Sequence, residues 1–279
     1  MNKHDLNIET RFIDNPIFNH DPPADLKLKD KVLIYFNGIN WKIIPIDFLL
    51  KYPLVYDIIT ETDSEGKIVH NIPVTVSFCP LTFVSVVYEG TYTPSEYLLN
   101  NCLVIKNKTN ELLPIITGMK QSNPETSDKI HVRRWEADIK LFRNALSDYP
   151  DAQYLVTSGH TNNNAPIVDN EYINNNEIMY DNITNNIASC FHPKTLVYLI
   201  EYKSQQNKNK YTIIVGKDAN TKNVSGYDTA KSGLTPYLEN IEGNLRDKVG
   251  FILPVFWYAW KPFYNDAKII CLDKKMIHD

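Results

Sequence analysis

Net charge is small: 29 basic against 33 acidic side chains leave a formal charge of −4. A balance that close argues against a dedicated nucleic-acid binder. Cysteine is scarce, with four residues at positions 79, 102, 190 and 271 and no C-x-x-C pair. That excludes a zinc ribbon and a dense disulfide framework and makes reduced thiols the expectation. No run reaches the roughly 18 to 20 apolar residues of a spanning helix, and Met1-Asn2-Lys3-His4-Asp5 lacks the apolar stretch of a signal peptide. A soluble intracellular protein with no membrane span is expected. The sequence holds no G-x-G-x-x-G, P-loop or G-x-S-x-G, which weighs against nucleotide binding and α/β-hydrolase chemistry. With no H-x-x-x-H, H-E-x-x-H or calcium-loop pattern either, no metal and no cofactor is expected. Alanine is also sparse, about ten residues against about thirty Asn and about thirty Ile. Asn, Ile, Lys and Tyr have A/T-rich codons, so the bias fits an A/T-rich genome such as that of a large DNA virus, with the host cytoplasm or virion as its location.

What is present suffices for a substantial core: 43% of the 279 residues are hydrophobic and 11% aromatic. Residues 1–28 read as an arm with Pro16, Pro22 and Pro23. From Val32 the apolar runs are short and separated by turn signals. Asn37-Gly38 lies between Val32–Phe36 and Ile39–Ile46 and supplies the positive φ of a tight hairpin. A second hairpin is expected at Ser64-Glu65-Gly66, and Val74, Val76 and Phe78 alternate with Thr75, Ser77 and Cys79 as in a strand with one apolar face. Thr82–Tyr88, Leu98–Lys106 and Glu111–Thr117 read as further strands. At Trp135 the period changes: Trp135, Ile139, Phe142, Leu146 and Tyr149 fall three to four apart and predict an amphipathic helix of about four turns, stopped by Pro150.

Residues 158–193 form an Asn-rich bridge whose aromatic and aliphatic residues suggest short docked pieces. Beyond it, Thr195–Tyr202 and Lys210–Val215 read as a hairpin, Val249–Trp260 as a strand entering an aromatic helix, and Ala267–Cys271 as a strand. Leu141–Ala152 resembles Val255–Ala267, each in the order helix, polar turn, strand. The expectation is therefore a β-rich α+β protein of mostly antiparallel sheet. Two related halves, 29–157 and 194–279, would each be closed by one amphipathic helix and packed as one compact unit.

The segments Ile72–Leu81 and Phe256-Trp257-Tyr258-Ala259-Trp260 resemble the P-V-x-V-T-Y-C-P-L and F-W-F-A-W signatures of the mainly prokaryotic family called domain of unknown function 3179 (DUF3179). Tyr97–Asn101 and Trp135–Leu155 follow in the family's order, so the likeness spans roughly 31–271. Family members usually continue Cys-Pro-Leu with Cys-Gly or a similar pair, whereas Thr82-Phe83 stands here, so the resemblance implies loss of a C-x-x-C site at this turn. It implies no reaction.

Cys79, at a strand end before Pro80, is the candidate nucleophile. It needs a base such as His131 and a pKa-lowering environment, and otherwise it is a small buried hydrophobe. Arg133 and Arg134 beside Trp135 form the candidate anion clamp, with pairing to neighbouring carboxylates as the alternative. Trp257 and Tyr258, with Tyr88, Tyr92 and Tyr97, supply aromatic surface for a sugar or peptide groove, while spacing favours the core for Phe256, Trp260 and Phe263. Two functional classes follow: a non-enzymatic binding or structural protein with a small-molecule or protein partner, or an enzyme on a small or sugar-like substrate. Homo-oligomeric assembly is a third reading, which an exposed apolar patch or free sheet edge would mark.

Overall fold

A computed structural model describes residues 2–3, 6–120, 131–156, 164–179, 192–203, 209–215, 249–264, 266–271 and 277–278. His160, Cys190, most of the Asn-rich bridge and the polar stretch ahead of Val249 lie outside the described residues. The described chain is β-rich, with mostly antiparallel sheets and short helices.

The Asn37-Gly38 hairpin forms as expected. Strand β4 (Lys31–Phe36) pairs antiparallel with β5 (Trp41–Pro45), and Gly38 adopts φ +94°. The turn presses so closely on the neighbouring strand that a Cβ on Gly38 would lie 1.8 Å from the Thr60 carbonyl oxygen. On the far side of β4 lies β13 (Asp138–Leu141), and beyond β5 lie β14 (Gln153–Leu155), parallel to it, and β3 (Phe18–Asn19). The Ser64–Gly66 hairpin also forms. It joins β6 (Leu54–Thr62) to β7 (Ile68–Phe78) in a second sheet, flanked by β2 (Phe12–Ile13), β8 (Ser85–Glu89) and β12 (Arg134–Glu136). A third sheet holds β1 (Asn2–Lys3), β9 (Thr93–Leu99), β10 (Cys102–Lys106) and β11 (Leu112–Pro114).

In the fourth sheet, β15 (Leu196–Lys203) and β16 (Asn209–Val215) form the expected hairpin. β17 (Val249–Phe256) pairs antiparallel with β15, and β18 (Lys268–Cys271) runs parallel to β16 with β19 (Ile277–His278) outside it. The order β17-β15-β16-β18 repeats β13-β4-β5-β14 strand for strand and in direction.

Three expectations change. The four-turn helix from Trp135 is instead two strands and a short helix, α2 (Phe142–Asp148). The spacing is real, but Trp135 and Ile139 lie on backbone that pairs with β8 and β4, and these ladder bonds outweigh a weak helical preference. No helix follows Phe256. Residues 257–263 form successive tight turns, with the Ala259 N–H bonded to the Phe256 carbonyl and Phe263 to Trp260. Trp257, Tyr258 and Trp260 are all buried, so the run has no polar face to turn outward, and Pro262 lacks an N–H. Finally, Leu98–Lys106 is not one strand. Asn100 (φ 48°) and Asn101 (φ 63°) make a two-residue turn between β9 and β10, the primed geometry that Asn tolerates. A short helix, α1 (Ile46–Leu49), follows Pro45 and carries Asp47 in its first turn.

The alternation along β7 does not sort its faces into wet and dry: Val74, Thr75, Val76, Ser77, Phe78 and Cys79 are all buried. Ser77 and Thr75 satisfy their hydroxyls on the Val86 and Gly90 carbonyls, which is why polar residues are tolerated there. The main core runs from this strand to Leu196–Ile200 and Phe251–Trp260. A smaller cluster, Val32, Ile34, Ile43, Ala152 and Tyr154, is covered by Phe142 and Ala145 of α2. Part of the bridge docks as α3 (Asn170–Asn174), capped by Asp169, whose carboxylate accepts the Tyr172 N–H at 2.7 Å, and Tyr172 itself is buried.

Candidate functional site

The Cys-Pro-Leu-Thr-Phe segment closes β7 as a tight buried turn. The Cys79 N–H bonds to the Val84 carbonyl and the Phe83 N–H returns to the Cys79 carbonyl, both at 2.8 Å, with Phe83 in the left-handed region at φ 57°. The turn leaves two carbonyls facing inward, and the aromatic segment after β17 answers both. The Phe256 N–H donates to Thr82 and the Tyr258 hydroxyl to Leu81, each at 2.8 Å. Phe83 and Phe256 stack with centroids 4.4 Å apart, and Phe78 meets Phe83 edge-on at 5.2 Å. The two signature segments, about 180 residues apart in the chain, are thus one packed joint.

Beneath that joint lies a pair of thiols. Cys79 and Cys102 are free and fully buried. The Cys79 sulfur accepts the Leu103 N–H at 3.3 Å and lies 3.6 Å from the Asn101 carbonyl, so it touches the backbone on both sides of Cys102. Burial raises the Cys79 pKa, but hydrogen bonds from the Cys102 thiol, the Thr82 hydroxyl and the Leu103 and Thr82 amides outweigh it and bring Cys79 down to about 7. Cys102 moves the other way, well above the usual thiol range, through burial and its bond to Cys79. The buried Thr82 hydroxyl lies beside both sulfurs.

Phenols surround the pair. The Tyr172 hydroxyl is 3.4 Å from that of Tyr258 and 3.5 Å from the Leu81 carbonyl. Buried Lys194 places its ammonium 3.4 Å from the Tyr172 ring centroid, donates to Asn175 Oδ1 at 2.8 Å and to the Tyr172 carbonyl, and is lowered by burial to about 8.

The other candidates are dispersed. His131 is exposed and bridges Met119 through its backbone, apart from the groups around Cys79. The hydrogen-bond partners of the Cys79 thiol among the described residues are Asn101, Cys102, Leu103 and Thr82, and His131 is not one of them. Arg133 and Arg134 do not converge. Arg133 is half exposed, pairs with Glu61 and lies 4.8 Å from the Trp135 ring centroid. Arg134 turns inward to Glu201 and packs 4.0 Å from the Phe251 ring centroid. Burial works against the Arg134 charge, but Tyr88 and Glu201 outweigh it and raise its pKa. Trp257 and Tyr258, like Tyr88 and Tyr92, are core residues, so the aromatic groove is not assembled from them. Among the described residues no group of three or more His, Cys, Asp or Glu converges as metal ligands would.

No spacing pattern marks Cys102, Tyr172, Lys194 or Glu201 as neighbours of these candidates. The apolar run Leu98–Lys106 reads as a single strand with Cys102 inside it. Only the Asn100-Asn101 turn brings it to Cys79, and an Asn-Asn pair between apolar runs was the available signal. A second thiol therefore does stand at the Cys79 turn, supplied from another sheet, although the motif position itself is Thr82.

Comparison with curated proteins and with solved structures finds no match. A family model described as "Protein of unknown function (DUF3179)" matches residues 12–230, most of the chain and both halves of the thiol pair. With that match over most of its length, the chain belongs to the DUF3179 family.

Proposed function

We propose that this chain is a non-enzymatic binding or structural protein, built from two related halves, in which the family signatures act as the joint between those halves. The observation that carries the reading is the use made of the signature polar groups. The Leu81 and Thr82 carbonyls are taken by Tyr258 and Phe256, and Arg134 is taken by Glu201. Groups committed in this way to internal partners are not poised for a substrate. The relation between halves is supported by the matching order of the β13-β4-β5-β14 and β17-β15-β16-β18 sheets. The resembling segments Leu141–Ala152 and Val255–Ala267 occupy corresponding places in them, each leading from an outer strand to the strand parallel to the hairpin. In this reading the Asn and Ile bias reflects an A/T-rich, viral genome.

Native mass spectrometry of gently purified protein, with thiol titration before and after denaturation, tests the reading. A clean chain mass at a defined subunit number, with Cys79 and Cys102 closed to a bulky disulfide reagent in the native fold and open to it on unfolding, is the expected result. A stoichiometric bound small molecule together with a fast-reacting native thiol would overturn it in favour of an enzyme using Cys79 on a small substrate.

A further inference from the structure

We propose that Cys79 and Cys102 form a reversible disulfide in the folded protein, with hydrogen peroxide as oxidant, and that the bridge ties the β6-β7 sheet to the β9-β10 sheet. Geometry carries this. The Cys79 sulfur sits against the peptide groups on both sides of Cys102, with Leu103 N–H at 3.3 Å and the Asn101 carbonyl at 3.6 Å, so the two side chains face one another across a sheet boundary. Both thiols are reduced and fully buried. The Asn100-Asn101 turn, held in the left-handed region at both residues, fixes Cys102 as the first residue of β10, and the Cys79–Val84 turn fixes Cys79 as the residue after β7. The two thiols are hydrogen-bonded to one another in the reduced protein.

The chemistry balances with peroxide as the two-electron acceptor. The Cys79 thiolate attacks one peroxide oxygen, the O–O bond breaks, and hydroxide leaves and takes up the proton released by Cys79, forming water and a sulfenic acid. Cys102 then attacks the Cys79 sulfur, its thiol proton passes to the departing hydroxyl, and a second water leaves as the S–S bond forms. Two thiols are oxidised by two electrons and one peroxide is reduced to two waters. Cys79 is the attacking partner because the amide and thiol donors around it stabilise its thiolate, while Cys102 is held protonated. Peroxide is small and uncharged, and local opening of the turn after β7 admits it, so the reaction runs more slowly than at an exposed thiol.

The bridge closes the chain between Cys79 and Cys102, which includes β8, β9 and their connections. Closing that loop restricts the unfolded ensemble and raises the stability of the oxidised form above that of the reduced form. This inference goes beyond the binding or structural reading and does not depend on it.

The test is exposure of the full-length native protein to hydrogen peroxide, followed by blocking of free thiols under denaturing conditions and peptide mapping. A Cys190→Ser/Cys271→Ser variant is run beside the wild type, so that the pair in question is the sole source of thiols and untouched itself. The expected result in both proteins is a Cys79–Cys102 cross-linked peptide, lighter by two hydrogens, reversed by dithiothreitol, with a raised urea midpoint in the oxidised form. In a Cys102→Ser variant that folds, the bridge is lost and Cys79 is trapped by dimedone as the sulfenic acid. Recovery of both cysteines as alkylated monothiols after peroxide, or of bridges only to Cys190 or Cys271, would overturn the proposal.

Discussion

Replacing Tyr258 by Phe isolates the joint between the two signature segments, because it removes one oxygen and leaves the ring in place. The Tyr258 hydroxyl is buried, donates to the Leu81 carbonyl at 2.8 Å and meets the Tyr172 hydroxyl at 3.4 Å. Its loss leaves the Leu81 carbonyl in the core with, among the described residues, the Tyr172 hydroxyl at 3.5 Å as its nearest remaining donor. A net hydrogen bond is worth about 1 kcal/mol, and a buried acceptor left without a partner adds a penalty, so the expected destabilisation is about 1–3 kcal/mol. Urea unfolding followed by far-ultraviolet circular dichroism reads this as a lower midpoint at unchanged slope. Since Tyr172 borders the same carbonyl, the Tyr172→Phe and Tyr258→Phe changes should be non-additive by at least about 0.5 kcal/mol in a double-mutant cycle. A midpoint unchanged within error for Tyr258→Phe would refute the argument, since it would mean that the Leu81 carbonyl is satisfied without this phenol.

Other perturbations separate further parts of the account. Gly38→Ala places a Cβ 1.8 Å from the Thr60 carbonyl oxygen at φ +94°, whereas Gly66→Ala at φ +80° meets nothing within 4 Å. Both incur the left-handed cost of about 1 kcal/mol, and only Gly38→Ala should go well beyond it, as a comparison of urea midpoints will report. Arg134→Met removes the guanidinium from an ion pair with Glu201 that is 13% and 17% exposed, so a loss of about 2–4 kcal/mol is expected. Arg133→Met, in a pair 50% and 32% exposed, should cost less than about 1 kcal/mol, and equal losses would contradict the burial difference. Burial, with negative or phenolic neighbours in support, raises the phenols of Tyr35 and Tyr258 well above their ordinary value of 10.0. Above that pH the unfolded chain releases these protons while the folded chain keeps them, so stability is full below about pH 10 and falls as pH rises further. Urea midpoints across that range should show the decline, and a Tyr35→Phe/Tyr258→Phe variant should flatten it; an unchanged slope would count against the burial argument.

How much could be read in advance is clearest at three places. The Asn37-Gly38 and Ser64–Gly66 hairpins were legible because the turn residues carry the information themselves: positive φ is a local property, and Gly38 and Gly66 adopt it. The helix expected from Trp135 failed because a three-to-four spacing also arises when a chain enters two strands and then one short helix, and only the partners β8 and β4 distinguish the cases. The aromatic run after Phe256 failed for a related reason, since a segment buried on every side has no period.

The β-rich class, the hairpins at glycine turns and the likeness between Leu141–Ala152 and Val255–Ala267 are legible along the chain, because turn chemistry and short-range pattern are written in adjacent residues. Its signatures also carried the family. Tertiary structure alone decided that Arg133 and Arg134 part company, that Tyr258 answers the Leu81 carbonyl, and that Cys102 is brought to Cys79. Each of these joins residues far apart in the chain, where no spacing rule applies, and each is fixed by which buried donor finds which buried acceptor once the sheets have packed.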